Sequence, residues 1–140
     1  MVKSTVLNAK TRGLRNNNPA NIRRSFNKWL GLSPIQEDKE FCQFEHIKFG
    51  IRAFLILCRT YRKKYGIQTI PQFLNRFAPL SENDTLAYIK FCLKYCGFEV
   101  FHDNEDFAMF ACAIFWYESK MSCTPQYVLH WMKEFKISVM

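Results

Sequence analysis

Glu118 closes the most apolar segment of the chain, DFAMFACAIFWYES. Phe107, Phe110 or Ala111, Ile114, Phe115 and Glu118 recur at i, i+3/i+4, i+7, i+8 and i+11, the spacing that keeps side chains on one face of a helix. A carboxylate that continues an apolar stripe is disfavoured in its charged form by the low polarity around it. The C-terminal end of a helix adds to this, because the dipole there opposes negative charge. Both effects raise the pKa, which is what a general acid near neutrality needs. In the alternative reading, Glu118 leaves the stripe where the helix frays and pairs with Lys120.

Acid chemistry on a glycosidic bond by inversion needs a second carboxylate, roughly 6.5–9.5 Å from the first, so that water fits between them. Glu37, Asp38 and Glu40 cluster in SPIQEDKE. Glu37 and Glu40 read as a solvated turn, and Asp38 is the candidate. A third feature is RNNNPANIR, residues 15–23. Asn is a poor helix former because its short amide competes with the backbone for hydrogen bonds. The run either caps a turn or aims amides, which donate and accept, at a ligand rich in hydroxyls and carbonyls. Trp29, in KWLG, is either a core plug or an apolar face on which a sugar stacks.

The elements that must hold these residues are mostly helices. One is expected from near Gly50 to Gly66, a C-terminal glycine. Another runs from Thr69, with Pro71 just inside, to a stop before Pro79. A third follows SENDT, where Ser81, Asn83 or Asp84 can cap it, and ends at Gly97. The fourth starts near Asp103, with Asp106 three residues on, and carries Glu118. The fifth starts at Thr124 and Pro125. Alternation in EFCQFE predicts a small β hairpin whose connection is SPIQEDK, residues 33–39. Residues 1–12 read as a loose N-terminal lead-in. With no repeat or linker, the expectation is one α+β domain over residues 1–140, mostly α, with about five helices and the hairpin in the N-terminal third.

The composition bounds the function classes. Hydrophobic residues make up 49% of the 140 and include fourteen Phe, while charged residues are 23%. A core is affordable and wholesale disorder is excluded. A net charge of +8 and pI near 9.3 favour an anionic partner: nucleic acid, an acidic membrane face or an anionic wall polymer. The Lys and Arg residues are dispersed, with no recognition-helix or RNP-like pattern, which argues against nucleic acid. Six cysteines without a C-x-x-C pair, mostly inside apolar runs, read as free buried thiols made in a reducing compartment. Cys92, Cys96 and His102 lack a fourth ligand at good spacing, so no metal is expected. MVKSTVLNAK has no apolar core of a signal peptide. The longest apolar run, residues 107–117, falls short of the ~20 residues a membrane span needs.

The blocks RGLRNNNPANIR, KWLG, QEDKEFCQFE and GIRA, then RFAP, LSENDT and LAYI, and more weakly AIFWYESK, resemble small lysozyme-like proteins of phages, prophages and gut Bacteroidales elements. That group is often labelled phage structural or virion-associated. The resemblance covers about residues 11–135. It implies a lysozyme-like domain in circularly permuted order, with the Asn segment and hairpin first and the Glu-bearing helix near the end. On that mapping Glu118 is the general acid. Asp38 orients water or stabilises a cationic transition state. Tyr88 matches a cleft tyrosine of related transglycosylases, and Asn17, Asn18, Asn21, Trp29 and Gln43 are the candidate substrate-binding residues. Where the group has Glu-Asn-Gly and Pro-Gly-Asn, this chain has Glu118-Ser119-Lys120 and Pro19-Ala20-Asn21.

The implied activity is bacteriolytic cleavage of peptidoglycan glycan strands by a muramidase-like hydrolase. The alternatives are lytic transglycosylation, or an inactive wall-binding component of a virion or injection machine. No cofactor is implied. The expected partners are peptidoglycan and phage virion or secretion machinery, with no nucleic acid and no stable membrane insertion. Synthesis in the cytoplasm without a signal peptide would leave delivery to the cell wall to other machinery.

Overall fold

The segment that carries Glu118 is helical from Asn104 to Ser119 and runs through the middle of the molecule. In the computed structural model, which describes residues 10–81 and 83–140, the helices are α1 (Arg12–Arg15), α2 (Ile47–Tyr65), α3 (Ile70–Phe77), α4 (Thr85–Cys96), α5 (Asn104–Ser119) and α6 (Pro125–Glu134). Residues 1–9 of the expected lead-in, with MVKSTVLNA, and Glu82 of SENDT lie outside the described residues.

Burial explains the placement of α5. Phe107, Ala108, Phe110, Ala111, Ala113, Ile114 and Phe115 are all 0% exposed, so between its first and last turns the helix has no exposed face. It packs against α1, α2, α4 and α6. Phe54 of α2 meets Phe73, Phe77, Phe110 and Phe115 at centroid distances from 5.5 to 6.3 Å, mostly edge to face. Each such pair adds about 1 kcal/mol beyond its burial. Together these rings fix α2 and α3 across α5.

Local signals set the helix ends. Thr69 accepts from Gln72 N–H while the Gln72 side chain accepts from Thr69 N–H, a complete capping box at α3. Asp84, Asp103 and Thr124 cap α4, α5 and α6. Gly66 and Gly97 end α2 and α4 at φ +65° and +80°, the left-handed region that glycine enters without strain. α2 starts at Ile47 rather than near Gly50, because the His46 side chain accepts the Lys48 N–H and caps the helix a turn earlier.

The expected hairpin is absent among the described residues. Pairing there is limited to isolated antiparallel bridges, Arg23 with Phe41 and Leu32 with Phe44, and a third joins Thr69 to Val100. The alternation itself is present, since Cys42 and Phe44 are each 3% exposed. The N–H groups of Cys42 and Phe44 donate to the Ile22 and Asn16 carbonyls, and side-chain amides bond several carbonyls of the segment. Asn18 Nδ2 donates to Cys42 O, Asn17 Nδ2 to Phe44 O and Gln36 Nε2 to Gln43 O. Thr11 and Arg12, the last two residues of the expected lead-in, belong to the fold. Thr11 caps α1, and its hydroxyl donates to Ser119 O at 2.6 Å.

Candidate active site

At the C-terminal end of α5, Glu118 is half-buried. Tyr88 Oη donates to its Oε2 at 2.8 Å, and Asn21 Nδ2 donates to its Oε1 at 3.1 Å and to its carbonyl at 3.3 Å. Burial pushes the carboxyl pKa above the usual glutamate range, against the opposing pull of the Tyr88 and Asn21 donors. Lys120 is not its ion-pair partner. It sits at φ +56° in the turn that ends α5, with its Nζ 5.7 Å from the Trp116 ring centroid.

Glu118 lines a cleft of about 370 Å³. One wall is the loop carrying Asn21, Arg23, Ser25, Asn27 and Trp29, and the other comes from Leu57 and Tyr61 of α2, Arg76 and Phe77 of α3, and Pro79 and Asn83 beyond. The mixture of hydroxyl, amide and guanidinium groups with flat apolar surface is one that binds a sugar by hydrogen bonds and stacking. Among the described residues Glu118 is the one carboxylate in that lining. Trp29 Nε1 and Asn21 Oδ1 are both buried without a hydrogen-bond partner in the protein. Trp29 is half-buried: it packs against the core and also lines the cleft.

The other predicted site residues lie elsewhere. Asp38 is not in the cleft lining. Arg12 Nε and Nη2 each bind it at 2.7 Å, Asn16 Nδ2 donates at 2.9 Å, and the Glu40 and Phe41 N–H groups donate at 2.9 Å. The Arg12 guanidinium, helped by the Phe41 N–H and the Asn16 amide, holds the Asp38 carboxyl well below the usual range, although burial opposes this. Gln43 Oε1 accepts from Glu37 and Asp38 N–H, and its Nε2 donates to Asn16 Oδ1. Asn18 is 0% exposed, donating to Ile22 and Cys42 carbonyls and accepting from Ile22 N–H. Asn17 spends its amide on Phe44 O.

The asparagine run thus folds the loop, and Asn21 alone of it touches Glu118. Asn17 and Asn21 both adopt φ +52°, a left-handed conformation that Asn tolerates better than most residues. The loop is pressed onto α5. Ser119 Oγ donates to Pro19 O at 2.8 Å, and a Cβ on Gly13 would overlap that hydroxyl. A Cβ on Gly50 would likewise overlap the Asn17 carbonyl. Sequence reasoning missed Ser119 as an anchor and Arg76, Tyr61 and Asn83 as cleft residues. No local pattern marks them, because their neighbours are distant in the chain. No group of three or more His, Cys, Asp or Glu among the described residues is placed to share a metal ion. No described helix is long and apolar enough to cross a membrane.

No protein-family model matches the chain. Over 96 residues, 66% of its length, the chain is 41% identical to Protein P5 of Pseudoalteromonas phage PM2, and it spans 60% of that protein. The chain is therefore homologous to a phage protein across about two-thirds of its length.

Proposed function

We propose that this phage-related chain cleaves the glycan strands of peptidoglycan, with Glu118 as the general acid. The observation that supports this most directly is a half-buried carboxylate, bonded by Tyr88 and Asn21, in the lining of a cleft of hydrogen-bonding and flat apolar groups, where burial pushes its pKa up. In the proposed step Glu118 protonates the glycosidic oxygen. The bond from the anomeric carbon to that oxygen breaks, and its electron pair leaves with the oxygen. A hydroxyl of the same sugar then attacks the oxocarbenium-like centre and returns its proton to the Glu118 carboxylate. This intramolecular, transglycosylase-type route is favoured over inverting hydrolysis because Asp38, the second carboxylate that inversion would use, is locked to Arg12 outside the cleft lining. Asp38 then serves as a clamp. It holds Arg12 and Asn16, and so α1, whose capping Thr11 is bonded to Ser119.

A second reading is a wall-binding virion component without turnover. What favours it is that both donors at Glu118 stabilise its charged form, against the acid role. In either case the site of action is the bacterial wall, reached through a virion or secretion machine. Digestion of purified sacculi followed by mass analysis of the released muropeptides separates the cases. Anhydro ends are expected. Reducing ends would return the role of base to a second carboxylate, and sacculus binding without release would favour the second reading. Release that survives Glu118→Gln would remove the mechanism.

A further inference from the structure

Arg76 differs from the other cleft cation. Arg23 lies 3.6 Å from Glu40 and 5.3 Å from the Phe41 ring centroid. The Arg76 guanidinium carbon sits 3.5 Å from the Tyr65 ring centroid and 6.0 Å from that of Tyr61. No carboxylate among the described residues forms an ion pair with it. Stacking on a ring occupies one face of a guanidinium and restrains a side chain that is otherwise costly to order, while its N–H donors, which lie in the plane, stay available at the edge. Arg76 is also shared by a second, shallower hollow lined by Tyr65, Ile67, Gln72 and Asn75. It therefore stands where the cleft that holds Glu118 passes into that hollow.

We propose that Arg76 is a carboxylate-binding subsite, by which the cleft selects glycans whose muramyl residues carry an acidic substituent over neutral N-acetylglucosamine polymers. This rests on the function proposed above and adds the substrate class. A restrained fork with its donors free matches a carboxylate in two parallel bonds, which an uncharged sugar cannot offer. The acidic group is either the lactyl carboxylate of a bare muramyl sugar or a carboxylate on its peptide stem, and the second hollow gives the stem a path away from the cleft.

Calorimetric titration of the full chain with three oligosaccharides of equal length tests this: neutral chitooligosaccharide, bare muramyl glycan, and muramyl glycan bearing peptide stems. The wild type is expected to bind one or both acidic ligands about tenfold more tightly than the neutral one, a difference of about 1.4 kcal/mol. Whichever acidic ligand shows the gain identifies the carboxylate. Arg76→Gln should weaken binding of the acidic ligand more than that of the neutral one, so that the preference is erased, and Arg76→Lys should restore part of it. Arg76 is exposed on α3, and an unchanged melting temperature of each variant excludes misfolding. A wild-type preference that persists in Arg76→Gln overturns this inference alone. Failure of the wild type to bind any glycan overturns it together with the function it rests on. Equal weakening of a DNA oligonucleotide by Arg76→Gln would make Arg76 a general anion contact and also overturn it.

Discussion

Tyr88 and Glu118, thirty residues apart, are joined by the 2.8 Å bond from the tyrosine hydroxyl to carboxylate Oε2. Tyr88 is 1% exposed, and its ring stacks on Tyr117 at 3.8 Å with the planes 17° apart. A donor so fixed pulls the Glu118 pKa down while burial pushes it up. Tyr88→Phe removes the downward pull and keeps the ring. The Glu118 pKa should rise, so the alkaline limb of the pH–activity profile on peptidoglycan should move to higher pH. Loss of a hydrogen bond to a charged group should also cost about 1.5–3 kcal/mol in urea unfolding at neutral pH. An unmoved alkaline limb would separate Glu118 from the chemistry.

Glu118→Gln should trade function for stability. Muropeptide release is expected to fall roughly 10²–10⁴-fold, the usual worth of a general acid. Glu118 has a folded-state pKa above its unfolded value of about 4.3, so the folded protein holds this proton more tightly. The resulting stabilisation is complete below the unfolded pKa and is lost as pH rises through the folded one. The glutamine variant has no such loss. It should melt higher than wild type at pH 7, and the gap should close on acidification towards pH 4.

Asp38 titrates in the opposite sense. Its folded pKa is depressed, chiefly by Arg12, so its contribution is present above the unfolded value of about 3.9 and fades as pH falls towards the folded one. Asp38→Ala should cost about 2 kcal/mol at pH 7, with a penalty that shrinks steadily below about pH 5 in urea titrations. As a clamp rather than a base, Asp38→Asn should retain most turnover at temperatures where the variant is folded. A loss of kcat matching that of Glu118→Gln, at unchanged stability, would restore the catalytic role.

Lys120 holds a left-handed conformation, φ +56° and ψ +31°, while its N–H bonds to Trp116 O and Met121 N–H to Phe115 O close the helix. A side chain in that region carries roughly 1 kcal/mol of strain. Lys120→Gly should therefore raise unfolding stability by about 1 kcal/mol. Lys120 is the last of the charges acting on Glu118, so the pH–activity profile should barely move.

The Cys112 and Cys123 sulfurs lie 3.4 Å apart, bracketing the end of α5 that bears Glu118. Contact with Cys123, and then burial, raise the thiol pKa of Cys112, whereas contact with Cys112 lowers that of Cys123, the more exposed of the two. Under oxidised glutathione, the Cys123 thiolate should attack to give a mixed disulfide and one glutathione. Cys112 then displaces the second glutathione, leaving an intramolecular disulfide and two fewer thiols. Thiol titration should fall from six to four, with a peptide-mapped Cys112–Cys123 bond and a higher melting temperature that dithiothreitol reverses. A persistent glutathione adduct on Cys123 would show that the sulfurs cannot close.

The chain on its own specified what depends on near neighbours. Thr69, Asp84, Asp103 and Thr124 cap their helices because capping is a bond over two or three residues. The apolar periodicity through Phe107, Ile114 and Phe115 places α5 inside and carries Glu118 with it, half-buried. The tertiary structure decided which polar groups meet. Asn16, Asn17, Asn18, Gln43 and Asp38 carry chemistry suited to a ligand or to the fold. Only the approach of the loop to residues 36–44 and to α1 commits their hydrogen bonds to the protein itself. The alternation legible in EFCQFE ended as isolated bridges, because its backbone partners come from residues 16–33 and not from a neighbouring strand. Arg76 entered the cleft because α3 packs across α2 and α5 through aromatic rings. Hydrogen bonds and ring contacts between distant residues leave no periodic trace, so their partners became visible only once the core had brought them together.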